Sequence, residues 1–315
     1  MKKPILTIGI PTFNGASCIV KSIESIINQL TNETCSQVEL LISDNASTDS
    51  TPEILSVLSR KYPKLVRVIH NNTNIGFDRN VNLIIQESRG DFVWPLADDD
   101  FIIEGGINIV LQIIRANAEI SVVSVGGFIS SLDEEYMVCK NRNHFFEITK
   151  FWNGGISSNI FLKSLWVEIG AEKYFDSNWI HFAMLIEMVA RFNSIIVRKP
   201  LVSDLHNLPK RWGKNGTFIL FHLELALIFS NMRHLGYNAK VSRSGIKTIH
   251  NMKYIKQIIK ARAEGLEFSI KLLRKFVIAY YAFPSFWFLD LPAIFLIPKF
   301  FCKLIYINFG KYSRE

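Results

Sequence analysis

Short apolar runs alternate with helical periodicity through the first 125 residues, and few folds accept that alternation. "ILTIGI" (5–10) is a β-branched run, after which Ile19, Ile23, Ile26, Ile27 and Leu30 fall at helical spacing. "VELLIS" (38–43), "LVRVIH" (65–70), "DFVWPLA" (91–97) and "ISVVSVGG" (120–127) read as four more strands. Between them, 49–62 reads as a helix with Ser50 or Thr51 as cap and Pro52 in its first turn. Residues 78–88 give another, with Val81, Ile84 and Ile85 on one face, and 104–117 a further one. Strands apolar along their whole length are covered on both faces. The pattern therefore predicts an α/β fold, a mostly parallel sheet sandwiched by helices.

In such sheets ligands bind outside the carboxyl ends of the strands. The loops there are "PTFNG" (11–15), "SDNASTDS" (43–50), "NNTNIGFDRN" (71–80) and "ADDD" (97–100), all strongly polar. The last places Asp98, Asp99 and Asp100 side by side after a buried strand. Carboxylates that close raise one another's pKa unless a cation or hydrogen-bond donors stabilise them. Two readings stand: a cation site, or an acidic turn capping a helix from Phe101 to Asn117. No GxGxxG follows the first strand and no GxxxxGK[ST] is present, which argues against a dinucleotide enzyme and a P-loop. Cys18, Cys35, Cys139 and Cys302 form no CxxC pair or zinc spacing, as expected of reduced thiols in a cytosolic setting. "MKKPILTIGIPTFNG" reads as a first strand and not as a signal peptide.

The later chain is different. Residues 179–192 read as a helix, 194–197 as a strand, and "DLHNLPKRWGKNG" (204–216) as a basic loop suited to a lid. From Lys240 to Lys275 ten Lys and Arg face two acids, a surplus equal to the net charge of +8 of the whole chain. Such a patch points to an anionic partner, and with no nucleic-acid motif beside it the expectation is a membrane surface and no nucleic acid. "FVIAYYAFPSFWFLDLPAIFLI" (276–297) is long enough to span a bilayer but is interrupted by Pro284, Asp290 and Pro292. A shallow or re-entrant membrane association is expected. The alternative is a helical core or a homo-oligomer interface.

"PTFNGASCIVKSIESIINQ", "LLISDNASTDST", "NIGFDRNVN" and "GDFVWPLADDDFI", in that order, resemble family 2 glycosyltransferases of the GT-A fold. The "WPLADDD" form is similar to bacterial sugar transferases of O-antigen and capsule assembly, the abequosyltransferase-like group among them. The resemblance covers roughly residues 4 to 205. It implies an inverting transfer of one sugar from a nucleotide-sugar donor to a polyprenyl-diphosphate-linked oligosaccharide, at the cytoplasmic face of a bacterial inner membrane. It also implies Mg2+ or Mn2+, held by Asp98 and Asp100 as the DxD-type pair, with Asp98 and Asp99 toward the donor. How the three acids divide this work stays open. Such a cation neutralises the departing diphosphate.

By the same resemblance Pro11, Thr12 and Asn14 lie beside base and ribose, and Asp44 contacts the base. Arg79 serves the donor phosphates or the local loop. The family's "DDGS" is here "DNAS", without the second acid and the glycine. Lys210 and Arg211 of "KRWGKNG" are candidates for holding the diphosphate; Leu208 stands where a processive relative has Gln, so processivity is not expected. The acceptor side offers His181 or Asp176 as the base, because the usual "ED" pair is absent and Ile180 and His181 fall near its place. The resulting division is 1–127 for the donor half, 128–216 for the acceptor half with base and lid, and 217–315 for a helical, membrane-associating region. The rivals are a metal-dependent nucleotidyltransferase and a non-catalytic nucleotide-sugar-binding protein.

Overall fold

The computed structural model describes residues 3–117, 119–127, 129, 132, 134–204, 223–250, 254–263, 265–267, 269–281, 298, 300–303 and 305. The chain forms two compact units, Met1–Leu208 and Pro209–Glu315. In the first, β1 (Leu6–Thr12), α1 (Ile19–Ile27), the short α2 (Asn32–Cys35), β2 (Val38–Asp44), α3 (Thr51–Lys61), β3 (Val66–His70), α4 (Phe77–Glu87) and β4 (Phe92–Pro95) follow the alternation read from the sequence. Next come β5 (Asp100–Ile102), α5 (Gly106–Ala116), β6 (Val122–Ser124), β7 (Tyr136–Cys139), α6 (Arg142–Thr149), β8 (Asn159–Leu162), α7 (Lys163–Ile169), α8 (Ile180–Arg191), β9 (Ser194–Val197) and β10 (Val202–Asp204).

Among the described residues eight strands form one sheet in the order β3-β2-β1-β4-β8-β6-β9-β7. β3, β2, β1 and β4 are parallel, and β6 is parallel to β9. β8 lies antiparallel between β4 and β6. Every residue of β2 is buried, and β1 is buried except at Pro11, because helices cover both faces. Leu6, Ile8 and Ile10 share one core with Ile19, Ile23 and Ile26 of α1, Leu55 of α3 and Val110 of α5. On the opposite face a Cβ added to Gly9 would come within 2.2 Å of Ile84 Cγ2, so α4 packs directly on β1 at the glycine. Each fully buried Ile or Leu in these layers contributes about 1.5–3 kcal/mol over its exposed state.

This topology aims the loops. β2 and β3 lie on one side of β1 and β4 on the other, so the strand order reverses at β1 and opens a crevice beyond Thr12. The antiparallel run of β8, with Val93 opposite Phe161, brings its amino end and the preceding turn Ile156–Ser158 to the carboxyl end of β4. β5 leaves the main sheet and pairs antiparallel with β10, Asp100 opposite Asp204. The helix after the acids starts at Gly106, two residues later than the sequence pattern suggests, with Gly105 at φ 77° before it. The acids thus form a turn and a strand start and do not cap that helix.

The second unit contains α9 (Leu225–Asn231), α10 (Ala239–His250), α11 (Tyr254–Ala263) and α12 (Ile270–Tyr280). Among the described residues no helix is long and apolar enough to cross a membrane. Most of the 276–297 stretch, the loop 205–216 and with it Lys210 and Arg211 lie outside the described residues.

Candidate active site

Thr12 ends β1 in register with Asp44 at the end of β2. Pro11 fits there because Leu96 N–H to Gly9 O is the last bond toward β4; the missing N–H of residue 11 faces the side where that ladder has stopped. Thr12 Oγ1 donates to Asp98 Oδ2 at 2.6 Å, and Asp98 is only 6% exposed. Gly15 closes over this pair. A Cβ there would lie 2.4 Å from Thr12 Oγ1 and 2.5 Å from Asp98 Oδ2, so any other residue displaces the carboxylate. Asn14 takes φ 54°, a left-handed conformation that asparagine tolerates. Its N–H donates to Ser47 Oγ at 2.9 Å, and its Oδ1 accepts from Thr48 N at 2.8 Å. The first two polar loops are in this way tied into one surface.

Asp44 is 2% exposed. Its Oδ1 accepts from Ser47 N at 3.1 Å, and its Oδ2 lies 3.2 Å from Nδ1 of half-exposed His70. Asn45, which replaces the second acid of the family pattern, pins the third loop: its Nδ2 donates to Asn74 Oδ1, and its Oδ1 accepts from Ile75 N, both at 2.9 Å. Ala46 stands at φ 60° in the place of the glycine.

The acidic turn closes with Asp100 N–H donating to Ala97 O at 3.1 Å. Its outer members go separate ways. Asp98 is bonded to the first half of the sheet through Thr12, whereas Asp100 Oδ2 accepts from Ser157 Oγ at 2.5 Å. Burial pushes the Asp100 carboxyl up to about 6, helped by the charges of Asp99, Asp204 and Asp98 and opposed by the Ser157 hydroxyl. Asp204 comes from the register of β5 with β10 and was not legible in the sequence. Among the described residues no group of three or more His, Cys, Asp or Glu stands ready as a complete metal cage. The donor chemistry nonetheless fits Mg2+ or Mn2+, which take one or two carboxylates and complete their shell with phosphate oxygens and water.

The acceptor-side candidates occupy different environments. His181, in the first turn of α8, is 5% exposed and lies edge-on to Phe77 with ring centroids 5.7 Å apart. Its Nε2 donates to Gly154 O at 2.9 Å, which leaves the lone pair on Nδ1, an atom without a hydrogen-bond partner among the described residues. Burial lowers its pKa to about 4, so the ring is neutral at pH 7 and a weak base. Asp176 is 76% exposed and sits at φ 69°. Arg79 grips it through two hydrogen bonds, at 2.5 and 3.3 Å, and holds its carboxyl below the usual range. The Arg79 guanidinium also lies 4.7 Å from the centre of the Phe175 ring. The structure thus joins two residues, 97 positions apart, that the sequence assigned to different substrates.

Asp78, beside Arg79 and not singled out in the sequence, explains why that loop stays put. Its buried carboxylate accepts from Asn178 N at 2.7 Å and from Ile180 N at 3.2 Å, capping α8 from the side. Glu187 faces away, bonded to Lys173, Tyr174 and Arg191. A cavity of about 870 Å3 opens at the other end of the strands, beside Val38 and Val66, but its Arg67 and Arg89 are paired with Glu39.

The profile of "Glycosyl transferase family 2" matches residues 7–165. Abequosyltransferase of Salmonella typhimurium is 30% identical over 116 residues, which are 37% of this chain and 34% of that protein. The chain thus matches only about a third of that relative's length. GalNAc(5)-diNAcBac-PP-undecaprenol beta-1,3-glucosyltransferase of Campylobacter jejuni is 25% identical over 214 residues, 61% of this chain and 67% of the relative. Among solved structures, TarS 1-349 of S. aureus in complex with UDP-GlcNAc superposes with a TM-score of 0.59 at 16% identity, covering 89% of this chain and 81% of that one. Mannosyltransferase PcManGT of Pyrobaculum calidifontis, in complex with GDP-Man and Mn2+, gives 0.57 at 15% identity, with 96% and 88% covered. At such identities these two likenesses speak for the GT-A fold alone.

Proposed function

The chain belongs to glycosyl transferase family 2 and is a glycosyltransferase, and from that premise we propose that it moves a single sugar, with inversion, from a nucleotide-sugar donor to a lipid-linked oligosaccharide in bacterial surface-polysaccharide assembly. The observation that carries this reading is the gathering of Thr12, Asp44 and the acidic turn at one crevice, with Asp98 fixed under Gly15. The name of the Campylobacter jejuni relative, a glucosyltransferase of a PP-undecaprenol-linked saccharide, motivates the lipid-linked acceptor. Family membership selects the transferase over the nucleotidyltransferase alternative.

Asp44 lies in the crevice where it would bind the base, with His70 and Ser47 N–H holding its carboxylate still. Thr12, Asn14 and Pro11 form the wall for base and ribose. Asp98 and Asp99 face the donor, and Asp98 with Asp100 would hold the divalent cation, whose charge neutralises the leaving diphosphate. Arg79 would serve that group by exchanging its ion pair with Asp176 for phosphate oxygens, and Arg211 belongs to the same proposal. The base takes the acceptor hydroxyl's proton as the anomeric carbon is attacked in line. Both candidates are weak bases, Asp176 because Arg79 holds its carboxyl low and His181 because it is buried, but Asp176 is open to an incoming hydroxyl whereas His181 is enclosed. These environments favour Asp176. The basic C-terminal unit supports docking on the anionic membrane that carries the acceptor.

Calorimetric titration of UDP, CDP and GDP with and without Mn2+ tests the donor side. Binding of one of them, tightened by Mn2+ and abolished in its metal dependence by Asp100→Asn, is the expected result. Nucleotide affinity indifferent to Mn2+ in the wild type would remove the cation from the proposal.

A further inference from the structure

Ser157 belongs to the second half of the first unit, 57 residues from Asp100 and 60 from Ala97, yet it fastens the acidic turn at both ends. Its Oγ accepts from Ala97 N–H at 2.9 Å and donates to Asp100 Oδ2 at 2.5 Å. Its backbone is itself anchored, since Trp94 Nε1–H donates to Ser157 O at 2.9 Å from within β4. One hydroxyl therefore uses its acceptor on the start of the turn and its single proton on the end. The arrangement depends on topology. Only because β8 runs antiparallel beside β4 does the turn Ile156–Ser158 arrive at the strand's carboxyl end.

We propose that Ser157 is the positioning residue of the candidate cation site: it fixes the rotamer of Asp100 and engages Oδ2, so that Oδ1 is the oxygen presented to a divalent cation. This rests on the reading of Asp98 and Asp100 as the cation pair. An aspartate side chain on a turn, left alone, samples several rotamers. A hydrogen bond from a buried hydroxyl to a charged carboxylate is one of the stronger kinds and selects one of them. Without it the nucleotide would still reach Thr12 and Asp44, but the cation would meet a carboxylate that must first be ordered. Ser157 thus acts through Asp100 and does not touch the reacting atoms.

The test compares wild type, Ser157→Ala, Ser157→Thr, Asp100→Asn and the Ser157→Ala/Asp100→Asn double variant by calorimetric titration with MnCl2 in the presence of the nucleoside diphosphate that binds, and with the nucleotide alone in EDTA. Ser157→Ala is expected to weaken Mn2+ about tenfold while nucleotide affinity in EDTA stays within twofold. Ser157→Thr, which keeps the hydroxyl, should recover most of the loss. The double variant should be no worse than Asp100→Asn, because the two residues form one chain of action. Wild-type Mn2+ affinity in Ser157→Ala overturns the positioning role and leaves the cation reading standing. A double variant weaker than Asp100→Asn by the full Ser157→Ala factor also overturns it, since Ser157 would then act independently. Absence of any Mn2+ binding in the wild type overturns the cation reading itself and this inference with it. Should Ser157→Ala fail to fold, Ser157→Cys, of similar size and with a weaker donor, carries the same comparison.

Discussion

His181 and Ala46 each occupy a conformation or charge state that their surroundings impose. A His held at a pKa of about 4 in the folded chain takes up a proton near 6.5 once unfolded. Between these values the unfolded state binds more protons, so stability rises with pH there. The His181 contribution is complete above about pH 6.5 and is lost as the pH falls toward 4, by about 3 kcal/mol over that window. Asp100 runs the other way in the metal-free protein, because its raised pKa lets the folded state take a proton first. Urea unfolding at pH 7, 5.5 and 4.5 is expected to show a steeper acid loss for wild type than for His181→Gln; equal slopes would mean that the ring is not buried neutral. Ala46 at φ 60° pays a steric penalty that glycine does not. Ala46→Gly should raise stability by about 0.5–1 kcal/mol, read as a shift in the urea midpoint at constant slope.

At the scale of elements, α8 depends on a side chain from α4. Asp78→Ala would leave the N–H groups of Asn178 and Ile180 without their acceptor and should cost about 2–3 kcal/mol, whereas Asp78→Asn keeps one oxygen and should cost less. Thermal unfolding of the two variants orders them; equal losses would show that only the charge at the helix start matters. The same region marks what a sequence can reveal. The strands β1 to β4 and β9 are legible because apolar and β-branched residues dominate them, and Thr12, Asp44 and Asp98 are legible because they stand at or just beyond the carboxyl ends of such strands. β8 is four residues long and β5 and β10 three each, too short for a period to show. Its antiparallel insertion brings Ser157 to Asp100, and the β5–β10 pairing brings Asp204 there, contacts between positions 57 and 104 residues apart. The resemblance of "NIGFDRN" points to Arg79, while nothing in that stretch signals that Asp78 caps a helix 100 residues on.

Over the whole molecule the charge is lopsided, since 240–275 alone carries the net surplus. On α12 the buried side is Phe276, Ala279 and Tyr280, and Lys275 Nζ donates to Glu224 Oε1 at 2.9 Å. The other side exposes Ile270, Lys271, Arg274, Ile278 and Tyr281, three to four residues apart around a common stripe. Apolar groups flanked by cations suit the interface of an anionic bilayer, where each Lys or Arg near the surface adds about 1 kcal/mol. Reversing Lys271 and Arg274 to Glu should therefore lower partitioning onto phosphatidylglycerol vesicles by at least about tenfold. The wild type should prefer those vesicles over phosphatidylcholine ones and lose the preference as salt rises. Nucleotide affinity, which the proposal assigns to the first unit, should stay unchanged in the same double variant. Equal binding of wild type and variant to both vesicle types would locate any membrane contact outside this stripe. No binding by the wild type would instead leave the lopsided charge in need of another anionic partner.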